Sequence, residues 1–548
     1  MSLAEIRSSV GDSTLPPLRC DICIVGSGPA GVTLAESLSG TKLRVILLES
    51  GTGERSNFAD SLNQIENVGR PRAEQWAVRN RILGGSSHTW GGRCGDFDDI
   101  DFEMRDWVPH SGWPFDRAHM EPYLDRSARY LGLAQGSGYS DERFWQFAGR
   151  HPPDNDLDKE VLIPFFWQFS RDPEESYPYE YRRFGRNLDR KLGSNITLVT
   201  GATVLKVHIE DTSNSVKSVE FATQDGHSKL IAAPVVILCC GGVENARILL
   251  NSDSQNPRGL GNDYDQVGRY LMDHLRGPIG SFDVSTTAAL QKRYGRYNVD
   301  GRFFRAGFRL SPTVQRRERL LNCASWLGEI RAPDDPWDAL RRIVGGAGRL
   351  PSDVFSVVSN SNLLVRGIKD HFAEKNGVPR KLSALTLECM IEQVPNPDSR
   401  VTLSEKRDHL GMRLPKVDWR SSVNEARSMH AMAHLTAGEF ARLGLPIPQL
   451  EQWVLDKADL PDSFVDVAHP TGTTRMSAEP SSGVVDENCQ VHGVPGLYVS
   501  GSSVFPTAGH CNPTQMIVAM AVRLSDHLVS KASAGSDELS ARVLVDAV

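Results

Sequence analysis

Residues 22–49 constrain this chain more than any other stretch. Ile22-Cys23-Ile24-Val25 and Arg44-Val45-Ile46-Leu47-Leu48-Glu49 are apolar and rich in β-branched residues, as strands buried in a parallel sheet should be. Between them stand Gly26-Ser27-Gly28-Pro29-Ala30-Gly31 and a run of helical character over 32–38. The order is strand, glycine turn, helix, strand. The three glycines do different things. Gly26 makes the tight turn, Gly28 admits a pyrophosphate to the backbone, and Gly31 lets helix and strand pack closely. The helix start offers free N–H groups and a positive dipole end to phosphates. Glu49 closes the second strand, with Ser50 beside it, where a carboxylate can accept hydrogen bonds from ribose hydroxyls. The unit predicts a dinucleotide site at these residues. The plain alternative is an ordinary βαβ turn with a surface glutamate. The motif alone does not separate NAD from FAD.

At 548 residues the chain is too long for one compact core, so two domains are expected. The net charge is −7 with no long basic run, which argues against a nucleic-acid groove. No apolar run approaches the ~20 residues of a membrane span. The first 18 residues lack an apolar h-region and a twin arginine, so the expected compartment is the cytoplasm. Nine cysteines are scattered. Cys20 and Cys23 have redox or metal spacing, but the second pair that zinc would need is missing, and no structural disulfide is expected. No H-E-x-x-H, P-loop lysine or G-x-S-x-G occurs, so metal sites, P-loop chemistry and a serine hydrolase are set aside.

A second glycine-rich loop runs Arg81-Ile82-Leu83-Gly84-Gly85-Ser86-Ser87-His88-Thr89-Trp90-Gly91-Gly92-Arg93. Two Gly-Gly pairs around a tryptophan suggest backbone laid against a flat ligand. Residues 134–187 are rich in aromatics and proline. They read equally as a lid over a substrate cavity and as domain packing. A buried strand near 235 ends in Gly241-Gly242 and returns the chain to the nucleotide domain. Residues 276–463 mix short alternating strands with helices, as suits a substrate domain on an antiparallel sheet.

Several separated motifs then point one way. They are the 26–49 unit, the 84–87 loop, Gly241-Gly242-Val243-Glu244-Asn245-Ala246-Arg247-Ile248-Leu249-Leu250, Val267-Gly268-Arg269-Tyr270-Leu271-Met272-Asp273-His274, His469-Pro470-Thr471-Gly472-Thr473-Thr474-Arg475-Met476, and the run 493–507. In order and spacing the chain resembles the glucose–methanol–choline family of FAD-dependent oxidoreductases, from Asp21 to about Leu528. Gly509-His510-Cys511-Asn512-Pro513-Thr514 and the run 395–403 bring it nearest to the branch of pyranose oxidase and fructose dehydrogenase relatives. The resemblance implies an α/β fold: an FAD-binding Rossmann-like domain and a substrate-binding domain built on an antiparallel sheet with helices. The expected division is 19–135, 195–275 and 464–548 for FAD, 136–194 as an aromatic-rich insertion or lid, and 276–463 for substrate.

The resemblance implies FAD contacts at Gly85, Ser86, Thr89, Trp90, Gly91, Gly92, Val204, Gly241, Gly501, Ser502, Asn512, Pro513 and Thr514, beside those of the first turn. Gly501 departs from the family's usual aspartate. Some relatives tether flavin through a histidine in the second glycine loop. Thr89 occupies that slot here and His88 lies one place earlier, so FAD is expected to be non-covalent. Oxidising an alcohol needs a base for the O–H proton, and histidine is the natural choice. By position His469 matches the family's base and Asn512 its partner on the substrate oxygen. His510 is the rival base and reads as a loop or supporting residue, while His274 reads as serving the structure or the flavin surroundings. A histidine base implies flavin reduction that rises through an apparent pKa near that of histidine.

The expected activity is oxidation of an alcohol, a sugar or glycoside hydroxyl, to a carbonyl. The alternatives are the same chemistry on a natural-product or steroid-like alcohol, a non-redox lyase that holds FAD, and a non-catalytic flavoprotein. Oxygen, a quinone or another redox partner would take the electrons.

Overall fold

The structure is a computed structural model that describes residues 18–545 apart from 135–137, 175–179, 347–349 and 375–377. Its first layer is a five-stranded parallel sheet in the order Leu497–Val499, Val235–Leu238, Ile22–Val25, Val45–Glu49, Ile196–Thr200. Ile22–Val25 and Val45–Glu49 are buried along their whole length, which is why both read as continuous apolar runs. The helix between them spans Pro29–Leu38. It starts three residues before the helical run of the sequence because proline at the first helical position needs no N–H and already has a helical φ. The polar stretch after Gly53 holds the short helix Asn57–Ser61 and the two-residue strand Glu66–Asn67. The closing helix Thr514–Val545 packs on Pro29–Leu38 and on Arg117–Leu131.

The second layer is an antiparallel sheet. Its order is Gln449–Leu450, Leu275–Phe282, Leu382–Ile391, Cys323–Arg331, Arg302–Leu310, Leu162–Phe169, Arg93–Cys94, and Arg296–Val299 pairs with Arg302–Leu310. The aromatic stretch of the sequence thus places a full strand, Leu162–Phe169, inside this sheet. Its rings pack rather than hang free. Phe144, on the helix Asp141–Ala148, stacks on Phe166 with centroids 3.9 Å apart. Residues 135–137 and 175–179 of that stretch lie outside the described residues. A small separate core of Tyr139, Phe165, Trp167, Ala324, Trp326 and Met390 sits on the sheet.

Buried ion pairs join parts of the chain far apart in sequence. Arg105 meets Glu392 at 2.5 and 3.0 Å with both side chains fully buried. Arg72 bridges Asp273 and Asp466 at 3.0 Å each. Removing one partner of such a pair strands a buried charge. All nine cysteines are free thiols. Among the described residues no helix is long and apolar enough to cross a membrane.

Candidate active site

One cavity of about 660 Å³ runs from the first glycine turn to the antiparallel sheet. Every residue expected to touch the cofactor lines it, except Ser27 and Gly31. Those two act from behind. A Cβ on Gly31 would lie 1.9 Å from the Gly26 carbonyl oxygen, so only glycine lets the helix sit this close to the turn. Ser27 donates its N–H and its hydroxyl to Glu49 Oε2 at 2.9 and 2.6 Å. The same hydroxyl accepts the N–H of Gly84 at 3.1 Å. Glu49 Oε1 accepts the N–H of Gly51 at 2.8 Å. Glu49 therefore ties the two glycine loops together while its carboxylate still borders the cavity.

The cradle fits FAD on its own geometry. A Cβ on Gly28 would meet nothing within 4 Å, so the turn opens directly onto the cavity. The helix that starts at Pro29 has no side-chain cap. Its leading N–H groups therefore suit an anionic phosphate. Gly241 and Gly501, at φ +83° and +122°, likewise present bare backbone to open space. At Gly501 the backbone adopts a conformation that side chains rarely tolerate. His88 does not line the cavity, and its Nε2 is engaged with the Leu83 carbonyl at 2.8 Å. Thr89 borders the cavity and accepts a hydrogen bond from Asn80 at 2.7 Å.

His469 and Asn512 meet in the same cavity. The Nδ2 of Asn512 stands 3.3 Å from His469 Nε2. The other imidazole nitrogen, Nδ1, faces His274 Nδ1 at 3.0 Å. His274 Nε2 in turn faces the Gly509 carbonyl at 2.9 Å. A carbonyl only accepts, so His274 Nε2 carries the hydrogen. Burial pushes the His274 imidazole down to about 4. It is therefore neutral at ordinary pH, and its Nδ1 is a bare acceptor. His469 must then donate from Nδ1, which leaves the lone pair on Nε2, turned toward Asn512. The Asn512 amide donates to that lone pair, and its Oδ1 is buried with no protein partner, free to accept from a ligand hydroxyl. Asp273 Oδ1 accepts the backbone N–H of both His274 and His469, at 2.8 and 2.9 Å. One carboxylate thus sets both imidazoles.

Burial also pushes the His469 imidazole well below its ordinary value, and the nearby His274 and Arg93 add to the shift. This corrects the expectation of an apparent pKa near that of free histidine. His510 does not reach the cavity. Its Nδ1 lies 3.2 Å from Asn322 Nδ2, with Asp98 and Asp101 at 3.5 and 3.7 Å. Sequence reasoning missed the link from His274 to His469. Its signal was present as Asp273-His274 at the end of the 267–274 motif. It also missed the part of Arg93, Arg276 and Arg296, which line the cavity; Arg93 closes the second glycine loop, and the other two belong to no motif.

Comparison with known proteins places the chain in a family. Family models described as GMC oxidoreductase match residues 186–276 and 395–521. Paromamine 6'-oxidase of Streptomyces fradiae is 22% identical over 92% of this chain and 90% of its own length. A C-glycoside 3-oxidase of Microbacterium trichothecenolyticum is 36% identical over 106 residues, 19% of this chain and 20% of that protein. The solved pyridoxine 4-oxidase of Mesorbium loti shares the fold with a TM-score of 0.55 at 18% identity, covering 93% of this chain and 99% of its own. With the glycine cradle, the His469–Asn512 pair and both matched segments in one molecule, the chain belongs to the glucose–methanol–choline oxidoreductases, FAD enzymes that act on alcohols.

Proposed function

We propose that this protein oxidises a hydroxyl-bearing carbon of a sugar or glycoside to a carbonyl, with FAD held non-covalently. The observation that carries the reading is the proton arrangement of His274 and His469, which leaves the basic lone pair of His469 on Nε2, beside Asn512. The names of the paromamine and C-glycoside oxidases support the choice of sugar and glycoside hydroxyls.

Bound FAD supplies the hydride acceptor. The chain supplies the rest. The Gly28 turn and the helix start at Pro29 would hold the pyrophosphate, Glu49 the ribose, and Val204 the adenine. The start of Thr514–Val545, beside Asn512 and Pro513, borders the cavity and would offer a positive dipole end to the flavin. Asn512 fixes the substrate oxygen through its open Oδ1. His469 Nε2 takes the hydroxyl proton as the C–H hydride departs, a combination of positioning and general base catalysis.

A panel of sugars and glycosides mixed anaerobically with the holoenzyme, then re-oxidised with oxygen or an artificial quinone, tests the reaction. Bleaching of the flavin by a sugar or glycoside is the expected result. Bleaching only by non-sugar alcohols would move the substrate class, and conversion without bleaching would make the protein a lyase.

The non-covalent attachment has its own test. Acid precipitation should release all the FAD to the supernatant, since Thr89 stands at the tether slot and His88 is engaged elsewhere. Yellow fluorescence left on the denatured band in a gel would refute it.

A further inference from the structure

The antiparallel sheet turns an unusual face to the cavity. Residues directly opposed on neighbouring strands share a face, as do residues two apart on one strand. Arg93 is opposed to Phe169. Two residues before Phe169, Trp167 is opposed to Arg305, which is opposed to Arg296. Four residues past Arg305, Arg309 is opposed to Ala324, which is opposed to Met390, which is opposed to Arg276. The register therefore collects arginines from four strands on one face, and Arg93, Arg276 and Arg296 border the cavity that holds His469.

Rings, more than carboxylates, hold these guanidinium groups. Arg93 lies 4.6 Å from the Trp326 ring centroid and 5.6 Å from that of Trp167. Arg276 lies 5.0 Å from Trp326, and Arg296 lies 5.5 Å from Phe169. Stacking of this kind fixes a guanidinium without neutralising it. Glu388 pairs with Arg276 at 3.0 Å. Among the described residues no carboxylate comes within 4.0 Å of the Arg93 or Arg296 nitrogens. The other acids along the cavity are committed: Asp466 to Arg72, Glu244 to Arg79, Arg81 and Arg247, and Glu49 to the glycine loops. Burial and the neighbouring arginines hold the Arg93 guanidinium well below its ordinary value, the mark of a cation with nothing to offset it. A neutral polyol leaves that repulsion in place. A carboxylate or a phosphate relieves it, and the planar fork of arginine matches both in shape.

We propose that this cavity takes an alcohol bearing an anionic group, a carboxylate or a phosphate, held by Arg93, Arg276 and Arg296 beside His469. The identity of the group as part of a substrate rests on the alcohol oxidation proposed above. Its binding does not require turnover.

The test is titration of the oxidised holoenzyme in low salt with D-glucuronate, D-glucose 6-phosphate and D-glucose, read from the flavin absorbance spectrum. At least one anion should bind ~10-fold or more tightly than glucose, and the tighter of the two identifies carboxylate or phosphate. In Arg296→Gln the anion should lose ~10-fold in affinity while glucose changes little. Arg296 is exposed, so this variant should keep its FAD content and melting temperature. Raising the salt to 0.5 M should weaken the anion and spare glucose, as screening of an open charge cluster requires (Debye length ~4 Å at that strength). Glucose binding as tightly as both anions would overturn the proposal, as would an anion affinity unchanged in Arg296→Gln. Anion binding without flavin bleaching by any sugar or glycoside would instead overturn the proposed sugar oxidation and leave this site standing.

Discussion

Replacing His469 by alanine should lower the anaerobic rate of flavin reduction by ~10²–10⁴-fold, the usual contribution of one general base. FAD content should stay near wild type, because His469 hydrogen-bonds to His274, Asp273 and Asn512 and not to the glycine turn, Glu49 or Val204. Asn512→Ala should fall between wild type and His469→Ala, since it loses the orienting amide and keeps the base. His510→Ala should have a much smaller effect, because its imidazole faces Asn322, Asp98 and Asp101 and not the cavity. The pH profile separates the base from a structural role. Only neutral imidazole accepts a proton, so activity is lost as pH falls through the pKa of the folded enzyme. Burial lowers that pKa, so the loss moves to lower pH. Wild-type reduction should therefore stay level from pH 8 down past the ordinary histidine value of about 6.5 and fall only below it. In His469→Ala that acid limb should vanish. Stopped-flow reduction across pH for the three variants decides the matter. A crippled His510→Ala beside a normal His469→Ala would hand the base role to His510.

Glu49→Ala should weaken FAD binding by ~10²-fold or more and leave the rate at saturating FAD near wild type. The residue is buried and accepts three hydrogen bonds, from the Ser27 N–H, the Ser27 hydroxyl and the Gly51 N–H. Hydrogen bonds to a charged group contribute ~1.5–3 kcal/mol each, so losing even one or two of them reaches the stated effect. The loss spreads through Ser27 to Gly84, and both glycine loops lose their common anchor along with a ribose acceptor. Glu49→Gln should sit between, since an amide oxygen can still accept from one loop. Flavin fluorescence quenching on titrating apoprotein with FAD gives the dissociation constant, and melting of the apoprotein separates binding from stability. An FAD affinity unchanged in Glu49→Ala would remove Glu49 from the site.

The nucleotide unit was legible because its determinants are local. A continuous apolar run can only be a strand buried on both faces, and Gly31 is needed by a contact with Gly26 five residues away. Proline within an apparent glycine loop misplaced the helix start by three residues, since helix propensity counts against both Gly31 and Pro29 although neither obstructs a first turn. The aromatic stretch divided between lid and packing for a different reason. Ring content reports that burial is needed, and only the pairing of Leu162–Phe169 with Arg302–Leu310 shows where it happens.

What the sequence by itself determined is the chemistry available: a glycine turn for a dinucleotide, an acid at the end of its second strand, and a histidine and an asparagine at spacings that resemble one oxidoreductase family. Tertiary structure alone decided how that chemistry is set. The proton position on His469 depends on His274, 195 residues away in the chain, and on the Gly509 carbonyl. Its lowered basicity depends on burial. The charge of the cavity depends on strand register, which brings Arg93, Arg276 and Arg296 to one face from separated segments. None of these leaves a periodic or local trace, because a protonation state and an electrostatic field arise from distances between side chains, and the fold creates those distances.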